Sequence, residues 1–247
     1  MFLTAGEESL AAQEPSRFVR AGLGTMGLAM GCGLLLTGAW GLGWTLFHGY
    51  APLTMPAAVT MAVFVLWPFR RACVSLADLC AGKDGSSRPV VLCVLVVGLA
   101  MCLMSLGDFH SGEYALPEWL QWVRPGEKYY RVLLLMPLWG AWSMLITPQF
   151  CRASAATEPY VAALARGGGA GTAAVCLVPP LAGSIFYFHY LGLWVQVVLS
   201  AVAVLGAIAA GLVCCRASGG LTRRALLAGN LLTQILFLLA YLPHVRR

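Results

Sequence analysis

Five long stretches of the chain contain no aspartate, glutamate, lysine or arginine, and this feature constrains the fold more than any other. They cover residues 21–69, 89–107, 132–151, 167–215 and 225–245. A helix needs about 20 apolar residues to cross the hydrocarbon core of a bilayer, because each residue adds only about 1.5 Å. Three stretches are long enough for one crossing, and the other two have room for a pair of crossings joined by a tight turn.

The sequence therefore predicts an all-α, polytopic integral membrane protein with about seven transmembrane helices. The predicted spans are 22–47, 53–69, 89–107, 130–148, 169–187, 192–214 and 225–242. Residues 1–20 are expected to form a polar N-terminal tail, and residues 21–247 a single transmembrane helical domain. Only 11% of the residues are charged, whereas the surface of a water-soluble domain raises that share to roughly a quarter.

The distribution of basic residues predicts the orientation. With seven crossings, the N-terminus shares its side with the loops after the second, fourth and sixth spans, and eleven of the sixteen lysines and arginines fall there. The positive-inside rule places that side in the cytoplasm and the C-terminus outside, in a plasma membrane or a bacterial inner membrane. The cysteines support this orientation, because free thiols persist on the reducing, cytoplasmic side of a membrane. The predicted outer loops contain no cysteine, and five cysteines lie at the inner ends of the spans: Cys73, Cys80, Cys151, Cys214 and Cys215.

A weak repeat suggests how the spans are grouped. Phe-His pairs end the first, third and fifth spans, at His48, His110 and His189, and an Arg-Ala step follows the second, fourth and sixth. This pattern predicts three helical hairpins plus one final helix. The alternative is that aromatic residues and histidine favour one interface and arginine the other, which would give the same pattern without a duplication.

The histidines are the first candidate site, because all four fall at the predicted outer ends of odd-numbered helices: His48, His110, His189 and His244. Imidazole binds zinc, copper and haem iron, so such groups could converge on a metal ion or a haem. Asp108 and Glu113 form an acidic pair in the same layer. The alternative is that these histidines sit at the headgroup interface and bind nothing.

Asn230, Thr233 and Gln234 form a second candidate, a polar stripe at i, i+3 and i+4 of the seventh span. Hydrogen bonds to another helix and contact with a substrate are both possible roles. The predicted spans are otherwise almost free of ionisable groups. Because proton-coupled carriers keep a carboxylate or lysine near the midplane, this argues against a stand-alone proton pump.

Two further expectations concern packing and loops. The first span is rich in glycine, and its Gly27-x-x-x-Gly31 step predicts close approach to a neighbouring helix, inside the chain or in a partner. The segment 70–88 after the second span is expected to be a solvated connection. Residues 117–123 are expected to form a short helix lying in the interface.

No catalytic residues are predicted, since the chain has no G-x-S-x-G, H-E-x-x-H or Walker motif. It also lacks the basic and aromatic runs that bind nucleic acid. The leading hypothesis is a membrane-embedded component of a larger membrane assembly or transport system, with the lipid bilayer and other membrane subunits as partners. The alternatives are a redox or metal-handling subunit using the histidine layer, and a membrane enzyme that acts on a lipid through Asp108, His110 and Glu113.

Overall fold

A computed structural model describes residues 15–47, 54–82, 85–107, 128–153, 157–167, 169–188 and 191–245. These residues form nine helices: α1 (Pro15–Phe47), α2 (Thr54–Leu66), α3 (Arg70–Cys80), α4 (Arg88–Gly107), α5 (Lys128–Phe150), α6 (Pro159–Gly167), α7 (Gly169–Phe188), α8 (Leu193–Ala217) and α9 (Arg223–Val245). The interface helix predicted at 117–123 lies outside the described residues.

Six of the helices, α1, α4, α5, α7, α8 and α9, are long and apolar enough to cross a membrane. The chain is therefore an integral membrane protein with an all-helical fold. Each of the six coincides with a predicted span to within a few residues at most ends, and α1 begins earlier, at Pro15. Pro179 and Pro180 lie inside α7 without ending it.

The second predicted span takes a different form. α2 has only 13 residues, which is about 20 Å of helix and too short for the hydrocarbon core. It continues through Trp67–Phe69 into α3 at an angle of 81°, so the pair is either a broken span or a re-entrant segment. The Phe69 backbone N–H still donates to the Phe64 carbonyl at 3.1 Å, and the two rings stack at the bend.

The expectation that residues 70–88 form a solvated connection was wrong for its first half. Residues 70–80 form α3, and its Ala72, Cys73 and Leu76 side chains are buried. Apolar side chains at positions 69, 72, 73 and 76 repeat with the period of a helix and cover one face. The Asp78 carboxylate pairs with the Arg88 guanidinium at 2.9 Å and joins α3 to the start of α4.

The bundle is built around α5. In its most apolar segment 83% of the residues are buried, compared with 11% in α4 and 22% in α1. α5 packs on α1, α7, α8 and α9, but it makes few contacts with α4, which precedes it in the chain. Of the three predicted hairpins, the first is a packing unit, because α1 and α2 contact each other closely. The helices of the other two hairpins, α4 with α5 and α7 with α8, make few contacts with each other.

Glycines let α1 approach its neighbours closely. A Cβ at Gly33 would lie 2.7 Å from the Leu134 carbonyl oxygen of α5, and one at Gly43 would lie 2.7 Å from the Pro56 Cα of α2. Gly22 faces Cys176 of α7 at a similar separation. These three residues are the inner glycines. In lipid, such close backbone approach supplies much of the attraction between helices.

Two loops meet at one end of the bundle in an arrangement that we call the loop clasp, formed by residues 151–153, 157–158 and 218–223. The Leu221 backbone donates to the Arg152 carbonyl at 3.0 Å, and the Thr157 hydroxyl donates to the Leu221 carbonyl at 2.6 Å. The Glu158 carboxylate accepts the Arg223 backbone N–H at 3.1 Å, at the positive end of α9. The clasp fixes the ends of α5 and α8 relative to each other.

Candidate functional site

Most of the histidine layer lies outside the described residues. This holds for His48, His110 and His189, and also for Asp108 and Glu113. His244 is described and lies half-buried in the last turn of α9. Within the described ranges, no group of three or more His, Cys, Asp or Glu side chains could hold a metal ion. The metal or haem site at these histidines therefore stays a prediction.

The polar stripe of α9 is buried in the bundle. Asn230, Thr233 and Gln234 are all less than a tenth exposed, and Gln234 is 0% exposed. Their hydrogen bonds to described residues stay within the helix, because the Gln234 amide donates to the Asn230 side chain and the Thr233 hydroxyl donates to the Gly229 carbonyl. The Gln234 Oε1 atom is buried and has no hydrogen-bond partner among the described residues.

A glycine of α5 makes room for these amides. A Cβ at Gly140 would lie 2.7 Å from Gln234 Cγ and 2.8 Å from Asn230 Oδ1. The two amides therefore pack directly against the α5 backbone, where an alanine would not fit without movement. The signal for this in the sequence is a single glycine in an otherwise bulky segment, Leu138-Trp139-Gly140-Ala141-Trp142.

Polar contacts continue along α5 on its other faces. The Trp139 indole N–H donates to the Ser184 hydroxyl at 3.1 Å, and the Trp142 indole N–H donates to the Ala173 carbonyl at 2.9 Å. Both bonds hold α5 to α7. Because no water competes in the hydrocarbon core, an indole N–H there requires an acceptor from the protein. These contacts were not predicted, since tryptophan in a membrane sequence is more typical of the interface.

Arg131 lies at the start of the predicted span 130–148, just before the charge-free stretch begins, and the structure places it inside the helix. It stands one turn into α5, is only 2% exposed, and donates from Nη1 to the Tyr187 carbonyl at 3.2 Å. That carbonyl belongs to the last turn of α7, where the helix dipole favours a cation. The sequence feature that indicates this early start of α5 is the absence of any helix-breaking residue between Lys128 and Pro137. The charge-free stretch marked the apolar core of the span but missed the start of its helix.

The chemistry available to the buried stripe is limited to hydrogen bonding. Asparagine, glutamine and threonine side chains do not titrate in the range of ordinary pH, so they accept or donate hydrogen bonds without taking up protons. A buried amide oxygen that lacks a donor costs about 1–3 kcal/mol in a protein interior. The stripe can therefore hold helices together or orient a bound donor group, and it does not by itself provide acid–base catalysis.

A different surface lies on the side of α1 that faces away from the rest of the described residues. Gly24, Gly27, Gly31 and Gly38 are exposed, and a Cβ added at any of them would meet no other part of the described chain within 4 Å. We call these four residues the outer glycine face. Exposed leucines flank them, including Leu28 and Leu34. The predicted Gly27-x-x-x-Gly31 step thus lies on the outside of the bundle.

At about 100° per residue, the outer glycines fall within an arc of about 60° on α1, opposite the inner glycines. The result is a shallow groove that runs along the helix between ridges of leucine.

Comparison of the chain with protein-family models, with curated proteins and with solved structures finds no match.

Proposed function

We propose that the protein is a membrane-embedded component of a larger membrane assembly or transport system, in which a transmembrane helix of another subunit packs against the outer glycine face. The observation that carries this proposal is the exposure of Gly24, Gly27, Gly31 and Gly38 along a single face of α1. Small residues at one face are the usual means by which helices approach each other in lipid.

The helix propensity of glycine supports this proposal. A glycine inside a helix costs roughly 0.5–1 kcal/mol relative to alanine, so four outer glycines together cost about 2–4 kcal/mol. The inner glycines offset that cost through their close contacts with α2, α5 and α7. The outer glycines have no such contact within the described chain, and a partner helix would provide it.

The spacing of the outer glycines suggests how the partner would cross. Gly24, Gly31 and Gly38 stand seven residues apart, which is two turns of a slightly underwound helix. A repeat of seven keeps the same face toward a neighbour that crosses at roughly +20°. The partner helix would therefore run nearly along α1 for much of the bilayer.

The test is photocross-linking in native membranes. A benzophenone amino acid replaces Leu34, which lies between outer glycines, or Val97 on α4, and both positions are 57% exposed. We expect the Leu34 position to give an adduct with a transmembrane segment of another protein, and the Val97 position to give lipid adducts alone. Gly31→Ile should remove the protein adduct, whereas Gly98→Ile on α4 should leave it unchanged.

Two outcomes would contradict the proposal. Lipid adducts alone from the Leu34 position would show that the groove faces only the bilayer. An adduct with a second copy of this chain would show a homo-oligomer instead of a different subunit. Because every copy inserts in the same orientation, such an adduct would also join matching positions of the two chains.

The same proposal includes the orientation, with the N-terminus in the cytoplasm of a plasma membrane or bacterial inner membrane. Support comes from the arginines at one set of helix ends, which include Arg70, Arg71, Arg152, Arg223 and Arg224. A protease-cleavable tag at either terminus tests it in intact cells. Cleavage is expected at the C-terminal tag only, and cleavage at the N-terminal tag would reverse the assignment.

A further inference from the structure

The bend between α2 and α3 exposes apolar and basic side chains next to each other. Leu66 ends α2 and Trp67 follows it, and the two are 74% and 76% exposed. Arg70 and Arg71 begin α3 and are also exposed. We call these four residues the bend surface. Because they lie within one short segment of the chain, the apolar side chains that end one helix are close to the guanidinium groups that begin the next.

The opposite face of α3 holds this surface in a fixed position. Ala72, Cys73 and Leu76 are buried, and α3 packs on α9 and α4. At about 100° per residue, Arg70 and Arg71 lie on the other side of the helix from these three residues. Since α3 turns by 81° from α2, it runs nearly parallel to the membrane surface wherever α2 runs across it. The two arginines are therefore directed away from the bundle.

The described part of the chain offers no free carboxylate to these arginines. It contains two carboxylates, those of Asp78 and Glu158. The Asp78 carboxylate pairs with the Arg88 guanidinium at 2.9 Å, and that of Glu158 accepts the Arg223 backbone N–H at 3.1 Å. Asp78 also stands seven residues after Arg71, about 10 Å further along α3. An anion that neutralises the bend surface therefore comes from outside the described residues.

We propose that the bend surface binds the headgroup phosphate of an anionic phospholipid, whose acyl chains pack against Leu66 and Trp67. A phospholipid carries its phosphate directly above hydrocarbon, which matches a basic pair beside an apolar pair. Guanidinium groups form paired hydrogen bonds with phosphate oxygens, and tryptophan favours the headgroup level. A free phosphate ion or a soluble acidic group would leave Leu66 and Trp67 without an apolar contact. This inference is independent of the proposed partner helix, because the outer glycine face lies on α1.

The charge of the bend surface favours one class of headgroup. In phosphatidylcholine the choline cation neutralises the phosphate, whereas phosphatidylglycerol carries no such cation and keeps its net negative charge. Attraction to an anionic membrane surface increases affinity by about fivefold for each arginine. With two arginines, we expect phosphatidylglycerol to bind at least about tenfold more tightly than phosphatidylcholine.

The test is a lipid titration of the full-length protein in detergent, followed by native mass spectrometry, which resolves each bound lipid. The probes are phosphatidylglycerol and phosphatidylcholine with identical acyl chains. Replacing both arginines, Arg70→Gln with Arg71→Gln, should lower the affinity for the first phosphatidylglycerol by about tenfold or more. The affinity for phosphatidylcholine should change by less than about twofold. An unchanged affinity for phosphatidylglycerol in this variant would overturn the proposal.

The matched control is Arg223→Gln with Arg224→Gln, which removes the same charge from the start of α9. The leucines on either side of that pair, Leu221 and Leu226, are buried, so these arginines have no exposed apolar residue beside them in the sequence. We expect the control to bind phosphatidylglycerol within about twofold of the wild type. Equal losses in the two double variants would show that net charge alone attracts the lipid, and the bend surface would then not be a site.

Two measurements on the wild-type protein complete the test. Glycerol phosphate, which has the phosphate without the acyl chains, should not displace bound phosphatidylglycerol at millimolar concentration. Displacement would show a site for a free anion and overturn the proposal. Phosphatidylglycerol with a diazirine in its acyl chain should label Leu66 or Trp67 on irradiation. Labelling confined to other positions would overturn the proposal without the use of any variant.

Discussion

Replacing Gly33 by alanine tests the close contact between α1 and the central helix α5. The added Cβ would lie 2.7 Å from the Leu134 carbonyl oxygen and 2.9 Å from the Leu134 Cα. Both atoms belong to the backbone, so no side-chain rotation can relieve the contact. The control is Gly31→Ala, two residues away on the same helix, where the added Cβ would meet no described atom within 4 Å.

The size of the effect follows from the distances. Carbon atoms pack best at about 3.5–4.0 Å, so the two helices must separate by about 1 Å near Gly33. Overpacking of this kind costs about 1–3 kcal/mol, and a contact between two backbones belongs at the upper end of that range. Part of this cost is offset, because alanine is more favourable than glycine in a helix by up to about 1 kcal/mol. We therefore expect Gly33→Ala to lower the free energy of unfolding by about 1–2 kcal/mol.

The assay is unfolding by SDS in mixed micelles, followed by the fluorescence of the buried tryptophans. Gly33→Ala should shift the midpoint to lower SDS, whereas Gly31→Ala should leave it unchanged or raise it slightly. Equal midpoints for the two variants would refute the reasoning. So would a Gly33→Ala protein as stable as the wild type, because α1 and α5 would then not meet at this position.

Three further predictions concern the region around α5. Gly211→Ala should lower stability by about 1–3 kcal/mol, because its Cβ would overlap the Thr147 side chain. Adding Thr147→Ala should restore most of this loss in a double-mutant cycle, and independent effects of the two substitutions would contradict the contact. Gln234→Met should lower stability by about 1 kcal/mol, because the gain from removing a buried carbonyl oxygen that lacks a described partner is cancelled by the Asn230 Oδ1 atom left without its donor, and the hydrogen bond itself is lost. A rise in stability in SDS titration would contradict this. Because burial raises the pKa of Cys151 above the ordinary value of 9.0, its thiolate fraction should still be increasing at pH 9; alkylation by iodoacetamide should therefore accelerate through that pH, and a plateau below it would contradict the burial of this thiol.

The sequence was sufficient to predict the membrane class and most of the helices. A charged side chain in the hydrocarbon core is costly, so a stretch of twenty residues without charge is a direct physical signal. The starts and ends of the helices were less certain, because a helix can extend beyond the hydrocarbon. Arg131 shows this well, since it belongs to the helix α5 although it carries a charge.

The arrangement of the helices could not be predicted in the same way. In lipid, an apolar side chain gains little by leaving the bilayer for the protein, so hydrophobicity does not distinguish the buried α5 from the exposed α4. The mean hydropathy of α4 is even higher than that of α5, 2.2 against 1.3, although α4 is the more exposed of the two helices. Polar side chains indicate the buried helix better than hydropathy does. α5 carries Ser143 and Thr147 and faces the amides of α9, and such groups avoid lipid.

The glycines of α1 illustrate what the sequence contains but cannot assign. The inner glycines at positions 22, 33 and 43 repeat at about three turns, and the outer glycines at 24, 31 and 38 repeat at two turns. Glycine is equally compatible with either side, so only the packed structure shows which set has a partner within the chain. The two sets should respond differently to substitution. Larger residues at the inner positions should lower the free energy of unfolding, whereas larger residues at the outer positions should weaken the assembly of a folded protein. A protein in which both sets affected unfolding equally would have packed both faces of α1 within a single chain, and the groove would then have no place for another subunit.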